Sequence, residues 1–153
     1  MAALTGKAAE IKWGEPGSQP FLVATGDVIY RGALVGFDVS TGTVFAWHAD
    51  NNLRIMGIAI GVDANTTHSV TGDGTKKVVV ATGGLTLRNI AVAGVNVQTE
   101  SGDEVFCSTD NFEDISVTDP TTSPPIGRVV NVDITNGKGD VMLYPAWYGF
   151  FVT

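Results

Sequence analysis

Cysteine is nearly missing from this chain: Cys107 stands alone among 153 residues. A single thiol makes no intrachain disulfide and no cysteine-based zinc set, which points to a reducing or indifferent compartment. The fold must rest on its own core, and a chain of this length buries roughly two thirds of the surface its unfolded form exposes. Basic charge is scarce as well. Lys and Arg number 9 against 16 Asp and Glu, the formal net charge is −7, and no basic run exceeds Lys76-Lys77. Binding nucleic acid means neutralising several phosphates together, so no nucleic-acid partner is expected. The acidity serves solubility instead.

Long apolar runs are also lacking. Met1-Ala2-Ala3-Leu4-Thr5-Gly6-Lys7 has no continuous apolar core of the kind a secretion signal carries. No stretch approaches the roughly 20 apolar residues of a membrane span. The expectation is a soluble chain without targeting segment or membrane partner.

Histidine is sparse too, with His48 and His68 only. Covalent catalysis needs a nucleophile, a base and an orienting group within reach of one another. Neither histidine sits in such a motif, and Cys107, in Val105-Phe106-Cys107-Ser108, reads as a small buried hydrophobe. Two histidines without i, i+4 spacing do not make a zinc site. The turns at Asp63-Ala64-Asn65, Asp73-Gly74 and Asp110-Asn111 lack the ligand density of a calcium loop and read as ordinary turn chemistry. No glycine loop follows a strand and opens a helix to cradle phosphate. No catalytic residue, metal or cofactor is expected.

What the chain has in quantity is glycine, 19 residues of it, with six prolines, spread so that the sequence is cut into short segments. Many-stranded all-β proteins read this way. Several segments alternate with period two, the mark of a strand with one buried face. Ala33, Val35, Phe37 and Val39 share a face opposite Leu34, Gly36, Asp38 and Ser40. Ile58, Ile60 and Val62 alternate with Gly57, Ala59, Gly61 and Asp63, as Val130, Val132 and Ile134 do with Asn131, Asp133 and Thr135. Helical signal is poor: Gly6 interrupts Leu4 to Lys12, and Trp13-Gly14-Glu15-Pro16-Gly17 stops it. Residues 1–20 therefore read as an extended arm ahead of a β-rich domain over 21–153.

Within that domain one pattern occurs twice. Val44-Phe45, Asp50-Asn51 and Ile58-Ala59-Ile60-Gly61-Val62-Asp63 are matched by Val105-Phe106, Asp110-Asn111 and Arg128-Val129-Val130-Asn131-Val132-Asp133. A Gly-rich turn and an apolar strand follow each: Gly72-Asp73-Gly74-Thr75 before Val78-Val79-Val80, and Asn136-Gly137-Lys138-Gly139 before Val141-Met142-Leu143. Turn and apolar residues align together, which predicts two related β units, about 21–85 and 90–145. The duplicated residues are scaffold and bear no reactive side chain, which points to a structural or binding role.

Two segments break the pattern. Thr118-Asp119-Pro120-Thr121-Thr122-Ser123-Pro124-Pro125 is an insertion whose three prolines force an extended, poorly paired surface loop. Residues 144–151 hold five aromatics, where chain ends are normally polar. Either a last strand is tucked into the core, or Trp147, Tyr148, Phe150 and Phe151 meet another subunit. Trp13, Trp47 and Trp147 are candidates for a sugar-binding platform, although core or interface packing accounts for them equally well.

Gly102-Asp103-Glu104-Val105-Phe106-Cys107-Ser108-Thr109-Asp110-Asn111, then Pro125-Ile126-Gly127-Arg128-Val129-Val130, then Gly139-Asp140-Val141-Met142-Leu143, resembles the decoration (cement) proteins of tailed-bacteriophage heads. Ala24-Thr25-Gly26-Asp27-Val28, Gly32-Ala33-Leu34-Val35-Gly36 and Met56-Gly57-Ile58-Ala59 are similar to that family more loosely, so the likeness spans about residues 21–145. The resemblance implies a β-barrel or β-tulip-like domain that binds the outer surface of an assembled capsid and stabilises it, commonly as a homotrimer at three-fold positions. It implies the major capsid protein as partner and the virion as location, after synthesis in the host cytoplasm. In such proteins the N-terminal arm adds to strands of the capsid protein. Here Lys7, Ile11 and Trp13 are the arm residues placed to do so, since Ile11 and Trp13 alternate around Lys12 and backbone pairing with alternate side chains gives specificity. The alternative reading is a carbohydrate-binding β-domain of a phage fibre or surface protein.

Overall fold

The computed structural model describes residues 17–61 and 68–146. It is all-β: β1 (Ser18–Leu22), β2 (Val28–Tyr30), β3 (Leu34–Asp38), β4 (Thr43–Ala46), β5 (Leu53–Gly61), β6 (Ser69–Thr71), β7 (Lys77–Ala81), β8 (Thr86–Ala91), β9 (Glu104–Val105), β10 (Gly127–Asp133) and β11 (Lys138–Leu143). A single 3-10 turn at Gln98–Glu100 sits between β8 and β9. Among the described residues the strands form three antiparallel sheets, ordered β1-β7-β5-β3-β4, β8-β11-β10-β9 and β2-β6, with no barrel closure. The first strand starts at Ser18, so three residues read as arm belong to the sheet.

The sheets stack as layers about two cores. Leu34, Leu53 and Ile55 of the five-stranded sheet meet Val105, Val129, Val141 and Leu143 of the four-stranded one, with Trp47, Cys107, Ile115 and Ile126 between. On its other face the five-stranded sheet puts Val35, Val44, Met56, Val78 and Val80 against Ile29 and Val70 of the two-stranded ribbon. The middle layer is thus buried on both faces. Leu34, assigned from the alternation to the face away from the core, is fully buried for this reason, and its neighbour Val35 is buried in the other core.

Bulges account for the other departures from simple alternation. Val35 pairs with Gly57 and Gly36 with Ile55, so Met56 is an extra residue in β5. A bulge inverts side-chain parity beyond it. Ile58 therefore packs towards the first core and Ala59 lies in the second, while Ile60, expected inside, is 45% exposed. In β10 the register slips between Val130 and Asp133, with Asn131 at φ +51°. Val129 and Val132 are buried as a result, Val130 is half-buried and Ile134 is exposed.

The two large sheets share a motif of three strands. β1-β7-β5 and β8-β11-β10 have the same order, and in both the innermost strand carries a glycine that the neighbouring strand crowds. A Cβ on Gly57 would lie 1.8 Å from the Ala81 carbonyl oxygen, and one on Gly127 would lie 2.1 Å from that of Met142. Ile58 pairs with Ala81 and Arg128 with Met142, so the two glycines hold equivalent sites. The likeness ends at the fourth strand: β9 pairs directly with β10, whereas β4 reaches β5 only through β3.

The edges of the two large sheets are interrupted. β4 is covered by the chain at 23–27, through Ala24 N–H to Val44 O at 3.0 Å and Ala46 N–H to the Asp27 carboxylate at 2.7 Å. β9 is extended by Phe106, which exchanges backbone bonds with Ser116. β1 remains open but holds Pro20. Thr82 N–H bonds to Gly17 O and Val23 N–H to Lys76 O in the register of the β1–β7 pair, so the proline nitrogen faces outward. β8 bulges at Arg88 and Asn89, with Asn89 at φ +55°. Proline and bulges are the usual means of blocking edge-to-edge pairing.

Candidate functional site

The joint between the two large sheets brings together Trp47, Cys107 and the Asp110-Asn111 turn. Trp47 follows β4, and its indole fits where Gly36 has no side chain; a Cβ there would lie 2.9 Å from the ring. Its Nε1–H donates to Cys107 O at 2.6 Å, and Leu34 N–H donates to Asp110 O at 2.9 Å. Two hydrogen bonds thus fasten the 107–114 loop to the middle sheet. Trp47 is 2% exposed, which removes it as a sugar platform. An indole N–H so buried requires a partner, and the Cys107 carbonyl supplies it.

The loop itself closes around one carboxylate. Asp114 accepts from Cys107 Sγ at 3.0 Å, from Ser108 N–H, from the Ser108 hydroxyl and from Thr109 Oγ1 at 3.0 Å. Partial burial raises its pKa, but these donors outweigh it and hold the carboxyl at about 2. Burial, then the adjacent Asp114 carboxylate, push the Cys107 thiol up to about 11. At neutral pH it is a protonated donor with almost no thiolate, so it serves the loop as a polar strut as well as a small buried hydrophobe.

The histidines stand apart. His48 is exposed, with Nδ1 3.0 Å from Ala46 O and Nε2 3.8 Å from the Asp50 carboxylate. His68 is exposed on the far side of β2, where its carbonyl accepts Arg31 N–H at 2.8 Å. Asp73 caps its own turn by accepting from Thr75 and Lys76 N–H. Among the described residues no group of three or more His, Cys, Asp or Glu is arranged to hold a metal, and no helix is long and apolar enough to cross a membrane.

Two clefts flank the joint. One, of about 380 Å³, lies under the Pro-rich loop, between Asn51 and Arg54 on one side and Glu104 and Phe106 on the other. Ser123 lines it with a hydroxyl that is buried and has no hydrogen-bond partner among the described residues. Asn51 Nδ2–H reaches across to Thr121 O at 3.2 Å. The loop is unpaired with any strand, as its prolines require. The other cleft, of about 370 Å³, is formed by Tyr30 and Arg31 before β3 and by Asp110, Asn111 and Phe112 of the 107–114 loop. Of these residues only Asp110 and Asn111 stood out in the sequence, as half of a repeated turn. Tyr30 and Phe112 come together through tertiary contact alone.

The contact residues proposed from the sequence, Lys7, Ile11 and Trp13 in the arm and Trp147, Tyr148, Phe150 and Phe151 in the tail, lie outside the described residues. What is described is where both segments join the body. Thr82, in the link between β7 and β8, donates its N–H to Gly17 O at 2.7 Å and accepts Ala146 N–H on its own carbonyl at 3.2 Å. The first and last described residues therefore share one neighbour.

The residues that carry the resemblance to head decoration proteins are structural ones. Gly102 turns at φ +98° and accepts the Arg128 guanidinium at 2.7 Å. Gly127 and Gly139 have no room for a side chain against the facing strand, and Asp27 covers the edge of β4. Set against protein-family models, curated proteins and solved structures, the chain finds no match.

Proposed function

We propose that this chain is a structural component of a tailed-phage virion: a decoration protein that binds the outside of the assembled capsid, as a homotrimer at three-fold positions, and stabilises it without catalysis. The observation that carries the reading is the junction at Thr82. Residues 1–16, with Lys7, Ile11 and Trp13, and residues 147–153, with four aromatics, are attached at one point of a body whose two large sheets have blocked edges. A body built so gains little from edge pairing of its own and offers its neighbours two apolar segments rooted together. The major capsid protein is the partner of the arm, and a second copy of the chain is the partner of the tail.

The mechanism is linkage. A ligand that binds only the assembled lattice stabilises it in proportion to affinity and occupancy. Repeated weak contacts over the lattice then combine as avidity. The resemblance in the 102–143 segment supports this reading, as do the shortage of basic charge and the saturated hydrogen bonding of Asp114 with Cys107.

Co-sedimentation with mature shells tests it. Removal of residues 1–15 should abolish binding while the far-ultraviolet circular dichroism stays that of a β protein. Binding undiminished by this truncation would reject the arm as the principal contact. Loss of the tail, residues 147–153, should lower the oligomeric state measured by light scattering.

A further inference from the structure

The cleft between Tyr30 and Phe112 is lined by side chains of mixed polarity, with Tyr30, Arg31 and Asn111 exposed and Asp110 and Phe112 half-buried. Tyr30 is 57% exposed. Its hydroxyl, the Arg31 guanidinium and the Asp110 carboxylate have no hydrogen-bond partner among the described residues. No ion pair joins Arg31 to Asp110, although both line one cleft.

The backbone beneath these side chains is fixed. Arg31 N–H bonds to His68 O at 2.8 Å, Gly32 N–H to Ala59 O at 2.7 Å, Ala33 N–H to Tyr30 O at 3.1 Å and Leu34 N–H to Asp110 O at 2.9 Å. Phe112 is held at φ +64°, a conformation costly for an aromatic residue, with its ring packed on the first core. The walls are pre-set and, among the described residues, Tyr30, Arg31 and Asp110 keep their polar groups unpartnered, while Asn111 is oriented by its Oδ1 accepting Glu113 N–H at 3.3 Å, which lowers the ordering cost of taking up a ligand.

The chemistry selects the class of ligand. The volume, about 370 Å³, falls at the low end of the roughly 300–1,000 Å³ typical of small-molecule sites. One cation and one carboxylate line it, so an anion would meet Asp110 and a cation would meet Arg31. A neutral ligand with adjacent hydroxyls satisfies both, since each hydroxyl donates and accepts: paired hydroxyls fit the guanidinium fork or the two oxygens of a carboxylate. The C–H face of a pyranose packs against an aromatic ring, whose face is electron-rich. We infer that the Tyr30–Phe112 cleft is a binding site for a neutral saccharide, with Tyr30 as the stacking platform and Arg31, Asp110 and Asn111 as the hydroxyl-reading groups. None of its lining residues belongs to the arm or the tail, so the inference adds to the capsid reading and does not depend on it.

Titration of the full chain with lactose, maltose and N,N′-diacetylchitobiose, followed by ligand-observed NMR, together with a glycan array, tests the inference. At least one saccharide should bind with a millimolar dissociation constant. Tyr30→Ala should weaken it tenfold or more, Tyr30→Phe much less, and Asp110→Asn several-fold, with unchanged circular dichroism. Binding that survives both Tyr30→Ala and Asp110→Asn, silence across the array, or a preference for free glycine over every sugar would overturn it. Sedimentation with shells should be unaltered in Tyr30→Ala, so failure of one reading is distinguishable from failure of the other.

Discussion

A single carboxylate organises the residues at the joint. Asp114 draws Cys107, Ser108 and Thr109 towards it, and the loop they form delivers the Cys107 and Asp110 carbonyls to Trp47 and Leu34. Its folded pKa of about 2 lies below the ordinary 3.8. The linkage sign is that of a depressed acid: the stabilisation is fully present above about pH 4 and is lost as pH falls towards 2. Asp38, Asp73, Asp133 and Asp140 shift in the same direction through hydrogen bonds to nearby backbone or side-chain donors, so acid weakens several turns together. Asp114→Asn should therefore show a smaller drop in unfolding midpoint between pH 4 and pH 2 than the native chain, although it is less stable at pH 7. Equal acid sensitivity in the two proteins, measured by thermal melts across that range, would remove Asp114 from this role.

Among the elements, the crowded glycines decide how closely strands approach. Gly127→Ala sets a methyl carbon against the Met142 carbonyl, and backbone has no rotamer by which to yield. Overpacking of this kind costs about 1–3 kcal/mol, and chemical denaturation should register it as a lower midpoint with an unchanged slope. A midpoint within error of the native value would mean that β10 and β11 separate freely. These same strands mark how far the sequence could be read. All-β character, the doubled Gly-rich turns, the burial of Cys107 and the unpaired Pro-rich loop were legible, because turn residues and β-branched runs act locally. The inward face of β5 and β10 was not, because Met56 and Asn131 sit at bulges set by partner strands. Nor was the burial of Leu34, since alternation assumes one solvated face and β3 has none. The Tyr30–Phe112 cleft joins residues some eighty positions apart, and no spacing rule brings them together.

At the level of the molecule, three layers share one middle sheet, and the two termini of the described chain meet beside Thr82. Two successive backbone pairings separate Gly17 from Ala146, a gap of roughly 10 Å at the usual strand spacing, which three or four extended residues span. A circular permutant follows from this. Ala146 run into Gly17 through a short glycine linker, with new ends opened between the exposed Asp73 and Gly74, should melt in one cooperative step and keep the native near-ultraviolet spectrum. Loss of cooperativity would mean that the β6–β7 connection, and not the stacked layers, carries the fold. Cargo fused directly at Gly17 and at Ala146 of the trimmed body would then be tethered at a common pole, and a pair of reporters, one at each of these residues, would sit close enough for efficient energy transfer.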